Sequence, residues 1–177
     1  GYKVGYSMTK GRYNTIMGEQ ALYTEDVGDY ATAIGYQTMY SQNSDSDNEA
    51  TGNTGLGIQA GYFNVTGQNN TYLGYAAGKG ATGNSNGSNV GVGKDALLSI
   101  TTGTENVVIG TSAGDALTTG GNNTIIGQQA GSATTDVDKA TIVGYGAGNS
   151  NMTSAADGTV AIGVLALNAL ISGADNV

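Results

Sequence analysis

The chain has 177 residues, six basic and fourteen acidic side chains, a formal net charge of −8, and neither cysteine nor histidine. Those absences exclude disulfides, thiol chemistry, zinc fingers and histidine-based catalysis, and the acidic balance lacks the basic footprint that nucleic-acid binding needs. Glycine supplies 31 residues and proline none; there is no Gly-X-Y triplet to suggest collagen, no apolar run of transmembrane length and no visible signal peptide.

The predicted elements follow one repeat. Gly5, Gly18, Gly35, Gly57, Gly74, Gly93, Gly110, Gly127, Gly144 and Gly163 are separated by 13, 17, 22, 17, 19, 17, 17, 17 and 19 residues. The base period is 17, with a short first unit and insertions of five, two and two. A period of that size predicts stacked coils along one axis, not a globule around a cleft. Residues 1–177 therefore read as a single repeat array of about ten coils, with an extra loop at 39–52. Coils at one strand spacing each give a rod roughly 45–50 Å long.

With the glycine as column 5, the fuller units read Asn-Thr-x-Ile-Gly-x-x-Ala-Gly. Columns 1 to 4 predict a short strand rich in β-branched residues. Glycine at column 5 marks a step where a Cβ would clash or φ must be positive. Small residues at columns 8 and 9 let a second segment pass close to the first. Thr66-Gly67, Thr102-Gly103 and Thr119-Gly120 close their loops. Asn at column 1 is suited to bonding backbone and stacking on its copies as a ladder. Residues 161–170 are the one stretch with a helical look, and the repeat register predicts another coil there. Asn176-Val177 reads as the opening of a further unit. The chain starts and stops inside a repeat, so a segment of a longer protein is expected.

Column 4 is a large aliphatic in every unit, and column 3 is also often apolar. Neighbouring strand residues face opposite ways, so one face fills the coil and the other needs a cover. Lys3, Gly55 and Gly91 at column 3 point to that column as the second, less demanding face. Identical chains about a rotation axis are the simplest cover.

Units such as Asn106-Val107-Val108-Ile109-Gly110-Thr111-Ser112-Ala113-Gly114 and Asn53-Thr54-Gly55-Leu56-Gly57-Ile58-Gln59-Ala60-Gly61 resemble repeats of bacteriophage tail fibres, which often end in a self-cleaving, endosialidase-type chaperone domain. They are also similar to the head repeats of trimeric autotransporter adhesins. The resemblance implies an all-β parallel β-roll or β-solenoid, left-handed in the adhesins, packed as an intimate homotrimer. The period departs from the shorter adhesin unit, and no chaperone or membrane-anchor segment is present. What it implies in function is a structural or adhesive fibre section in the virion, outside the cell, that spaces or presents a receptor-binding surface. Its partners would be itself, other fibre or virion proteins, and a host glycan or protein receptor. A bacterial surface adhesin head section is the close alternative, and a polysaccharide-degrading tailspike a further one. An ice-binding solenoid wants a regular Thr ladder, whereas column 2 mixes Thr15, Thr32 and Thr54 with Val90, Val107 and Val160.

Candidate sites are few. Asp45, Asp47 and Glu49 alternate as cation ligands sometimes do, yet lack the glycine and terminal glutamate of an EF-hand loop, so a solvated loop is the plainer reading; Asp136 and Asp138 read alike. Glu19, Glu25, Asp26 and Asp29 are clustered acids with no implied groove between them, as paired-carboxylate hydrolysis would need. Ten of eleven tyrosines lie in the first 75 residues. Stacking along the rod is the expectation for most, with Tyr23, Tyr40 and Tyr62 expected to be exposed in loops as candidate glycan contacts. No catalytic residue, cofactor or membrane insertion is expected.

Overall fold

A computed structural model describes residues 1–47 and 49–176. Nine three-residue strands follow in chain order: β1 Thr15–Met17, β2 Thr32–Ile34, β3 Thr54–Leu56, β4 Thr71–Leu73, β5 Val90–Val92, β6 Val107–Ile109, β7 Thr124–Ile126, β8 Thr141–Val143 and β9 Val160–Ile162. Each pairs in parallel with the next, giving one nine-stranded sheet in sequence order. Column lies on column throughout, as in Thr15↔Thr32 and Val160↔Thr141. This is a β-solenoid of about nine turns. At roughly 4.8 Å per strand, β1 and β9 stand about 38 Å apart. The helical-looking stretch at 161–170 is strand and turn, as the register requires.

The first unit is not short. Gly1, not Gly5, occupies the column-5 step beneath Gly18: a Cβ on Gly1 would lie 2.9 Å from the Gly18 carbonyl carbon. Gly5 instead takes column 9, its N–H donating to Ala21 as the Leu22 N–H donates to Thr38. Gly1 to Gly18 is 17 residues, so the opening coil has the base period. The inner repeat Gly-x-x-x-Gly places two glycines four apart, and alignment on the wrong one produces the apparent shortening. Lys3 and Val4 thereby leave the strand columns.

A second correction concerns which face is inside. Column 3 points inward: Ala33, Tyr72, Val108, Ile125 and Ile142 are fully buried. Column 4, the invariant aliphatic, points out, with Met17 65% exposed, Leu56 44% and Ile162 66%. Glycine is tolerated at column 3 because column 9 faces it across the coil interior and trades volume with it. Tyr72 is paired with Gly78, Ile142 with Gly148, Gly91 with Leu97 and Ala33 with Met39. A Cβ on Gly78 would lie 2.1 Å from the Tyr72 ring. In the coil that is small at both columns, Gly55 and Gly61, Met39 reaches in from the coil before, 3.0 Å from a Cβ on Gly55, and Tyr72 from the coil after, 3.2 Å from one on Gly61. Close packing is thus conserved although neither column is.

The asparagine ladder stands inside the wall. Asn106 Nδ2 donates to the Gly120 carbonyl at 2.9 Å, closing its own coil. Its Oδ1 accepts from the Asn123 N–H at 3.0 Å, binding the next coil. Asn53, Asn70, Asn89 and Asn123 repeat both bonds with the corresponding groups. Buried polar groups are tolerated when so satisfied. Ala31, Ala140 and Thr159 stand in the Asn column of the β2, β8 and β9 coils. The later two-residue insertion holds a short 3-10 turn, Ser154–Ala156. Asn176 extends the series, its carbonyl accepting from Val160 at 2.7 Å; Val177 and Asn48 lie outside the described residues.

Candidate functional site

The first candidate surface is the outer face of the sheet. Columns 2 and 4 of the nine strands contain only Thr, Val, Met, Ile and Leu. No charge interrupts this face, although the chain carries twenty ionisable Asp, Glu, Lys and Arg residues. Met17, Leu56, Leu73, Ile109, Ile126 and Ile162 form a row of exposed apolar side chains along it. An apolar row along a rod is a candidate contact surface.

A second surface is aromatic. Tyr6, Tyr23, Tyr40 and Tyr62 occupy the same step of successive coils. Their rings stack at 5.1, 4.9 and 5.1 Å with interplanar angles of 7°, 5° and 5°. Phe63 closes the upper end edge-on at 4.6 Å, and the Lys3 ammonium lies 5.0 Å from the Tyr6 ring at the lower end. Tyr13 and Tyr30 form a separate stacked pair. The expectation that Tyr23, Tyr40 and Tyr62 are exposed is not met: all three are half-buried, whereas Tyr2, Tyr6, Tyr13 and Tyr30 are exposed. The physical reason is the coil register, which places each ring on the last across spacings of 17, 17 and 22 residues. Sugar stacking uses a free ring face; here the faces of Tyr23 and Tyr40 are covered by neighbouring rings, leaving their edges. Burial, then the nearby Tyr40 and Tyr36, push the Tyr62 phenol above its ordinary pKa.

The acidic residues take separate places. Asp47 pairs with Lys10. Glu49 accepts from the Asp45 N–H at 2.9 Å and from the Gln68 side chain. Among the described residues, no group of three or more acidic side chains gathers as a metal ion would need. Asp136 accepts from the Ser154 N–H and Asp138 from the Gly121 N–H. Asp29 accepts from both the backbone and the guanidinium of Arg12, at 2.6 and 3.0 Å. Glu19 is exposed.

Glu25 is the residue that sequence reasoning misplaced most. It is fully buried inside the coil. Oε1 accepts from the backbone of Val27, Gly28 and Ser44, and Oε2 from Gln42 Nε2 and Ser44 Oγ. Neutral donors alone hold this carboxylate. The signal was present in the repeat: Gln42 and Asn64 share its step in the next coils, an inward column that becomes Ile100 and Leu117 further on. Glu25→Ala is expected to leave three backbone N–H groups unpaired and to cost about 3 kcal/mol or more. Glu25→Gln keeps an acceptor at Oε1 for the three backbone N–H groups but sets its amide NH2 against Gln42 Nε2, so it is expected to cost about 1–2 kcal/mol, less than the alanine. Urea unfolding of both variants checks this, and equal midpoints would refute it.

Above Tyr62 the aromatic column ends, and a shallow concavity of about 520 Å³ opens on the same edge, lined by Phe63, Lys79, Ala81, Leu98, Ser99 and Thr101 among others. The two-residue insertion near 81–83 makes room for it. Gly80 and Ala81 are its smallest lining residues.

The fold and these surfaces define a β-solenoid repeat protein. Comparison with family models, curated proteins and solved structures returned no match. Among the described residues, no helix is long and apolar enough to cross a membrane.

Proposed function

We propose that the chain is a stiff section of a trimeric virion attachment fibre, spacing or presenting a receptor-binding surface. The observation that carries the reading is the charge-free outer sheet face with an aliphatic at every rung. Three copies related by an axis along the rod bring their aliphatic rows together rung against rung and remove them from water. Continuous backbone pairing along the axis gives the stiffness, and the repeat number gives the length. The motif's resemblance to tail-fibre repeats supplies the setting.

Sedimentation velocity tests the assembly. The chain is expected to run at three times its 17.7 kDa mass. Replacing Ile109 and Ile126 together by Glu sets six like charges around the axis and is expected to yield monomer or aggregate. A wild-type chain that sediments as a folded monomer would end the trimer reading. Antibody against the chain tests the setting: label along virion tails supports it, and label confined to a bacterial envelope transfers the section to a surface adhesin.

A further inference from the structure

The concavity above the tyrosine stack has the chemistry of a small binding site. Its apolar wall is the Phe63 ring, Leu98 and Ala81. Its polar groups are the Lys79 ammonium and the Ser99 hydroxyl, together with Thr101 and Thr118. The last two donate their protons to the carbonyls of Thr118 and Thr135, at 3.0 and 2.9 Å, so they offer a ligand only acceptor oxygens. Lys10 is bonded to Asp47 and Lys94 to Asp95, whereas Lys79, like Lys3 and Lys139, has no carboxylate partner among the described residues; of these three, Lys79 is the one that lines the concavity. Its nearest aromatic neighbour is Tyr62, with the ammonium 6.0 Å from the ring centre. A cation lacking a carboxylate, in a chain of net charge −8, is held at the edge of a concavity of ligand-pocket size.

We infer that this concavity binds a carboxylate-bearing six-membered ring, of the uronic acid type, at the rod's flank. The carboxylate meets Lys79 as a charge-assisted hydrogen bond. The C–H face of the ring lies on Phe63 and Leu98. Ring hydroxyls donate to the Thr101 and Thr118 oxygens and accept from Ser99. Both features are needed: a neutral sugar loses the ion pair, and a small carboxylate loses the apolar contact. The site belongs to a single chain's concavity and goes beyond the fibre reading; it stands or falls independently of the trimer.

Ligand-observed NMR and calorimetric titration with sodium glucuronate, methyl glucoside and sodium acetate test it. Glucuronate is expected to bind in the millimolar range or tighter, at least tenfold better than either of the other two. Lys79→Gln and Phe63→Ala are each expected to weaken glucuronate at least tenfold while circular dichroism and sedimentation stay unchanged. Lys79→Arg retains the charge and is expected to restore most of the binding. Absence of glucuronate binding, equal response to acetate, or full binding by Lys79→Gln overturns the site, whatever the sedimentation result.

Discussion

Gly110→Ala is expected to unfold the middle of the rod. The backbone at Gly110 has φ +141°, and a Cβ there would sit 2.4 Å from the Gly127 carbonyl oxygen and 2.6 Å from its carbon. Those atoms are main chain of the next coil, so no rotamer change relieves the contact. The coil must move away, and the hydrogen bond from the Gly127 N–H to the Ile109 carbonyl, 2.8 Å long, lies beside it. Backbone strain plus overpacking puts the cost at about 3–5 kcal/mol, a large share of the roughly 5–15 kcal/mol that holds a typical protein together. Gly83→Ala is the control. Its φ of +80° strains a side chain, but nothing lies within 4 Å of the added carbon, so about 1–2 kcal/mol is expected. Urea unfolding followed by circular dichroism compares the two. Similar midpoints would mean that the glycine column is not a close-contact column.

Asn106→Leu is expected to be nearly as damaging, for a different reason. Leucine has a similar volume, so packing is little changed. The loss is of partners: the Gly120 carbonyl loses Nδ2, and the Asn123 N–H loses Oδ1. Both groups are in the wall, where water does not replace them. At about 1–3 kcal/mol for each orphaned group, the total is about 2–6 kcal/mol. For a chain of this size that lowers the melting temperature by about 5–20 °C. Asn106→Asp is expected to do no better, because a carboxylate has no donor for Gly120 and faces Asn89 Oδ1, which now accepts at 3.0 Å from Asn106 Nδ2. The control is Asn43→Leu, at an exposed side chain, expected to change stability by less than about 0.5 kcal/mol. A thermal melt of Asn106→Leu within a degree or two of wild type would remove the ladder from the account of stability.

Much of this fold was legible because a repeat tests each column many times over. The strands, their parallel order, the glycine step and the asparagine ladder follow from spacing; of the residues expected as an extra loop at 39–52, Met39, Tyr40 and Gln42 hold regular steps of their coil. What spacing left open was direction. Ile142 and Val143 are chemically alike and adjacent, and hydrophobicity alone does not say which enters the coil. The more regular column looked like the core, yet it is the outer one. The interior column varies because each Tyr72 or Gly91 is matched by Gly78 or Leu97 across the coil, a compensation between positions six residues apart. Phe63, the chain's one phenylalanine, and Lys79 beside the insertion at 81–83 were visible as residues. The concavity they line depends on coils meeting at a corner, and no single unit encodes it.

The sequence by itself determined the winding. Seventeen-residue spacing of glycine, asparagine and alanine forces chain segments into register, since each of those residues is required by a local geometric demand repeated at every turn. The three-dimensional stack decided everything that depends on neighbouring turns. It buried Glu25 among neutral donors and covered the faces of Tyr23 and Tyr40 with other rings. It also turned the uniform aliphatic row of Met17 to Ile162 toward solvent. Those outcomes rest on contacts between residues one coil apart, where shape, charge and hydrogen-bond partners are set by the pair and not by either residue alone.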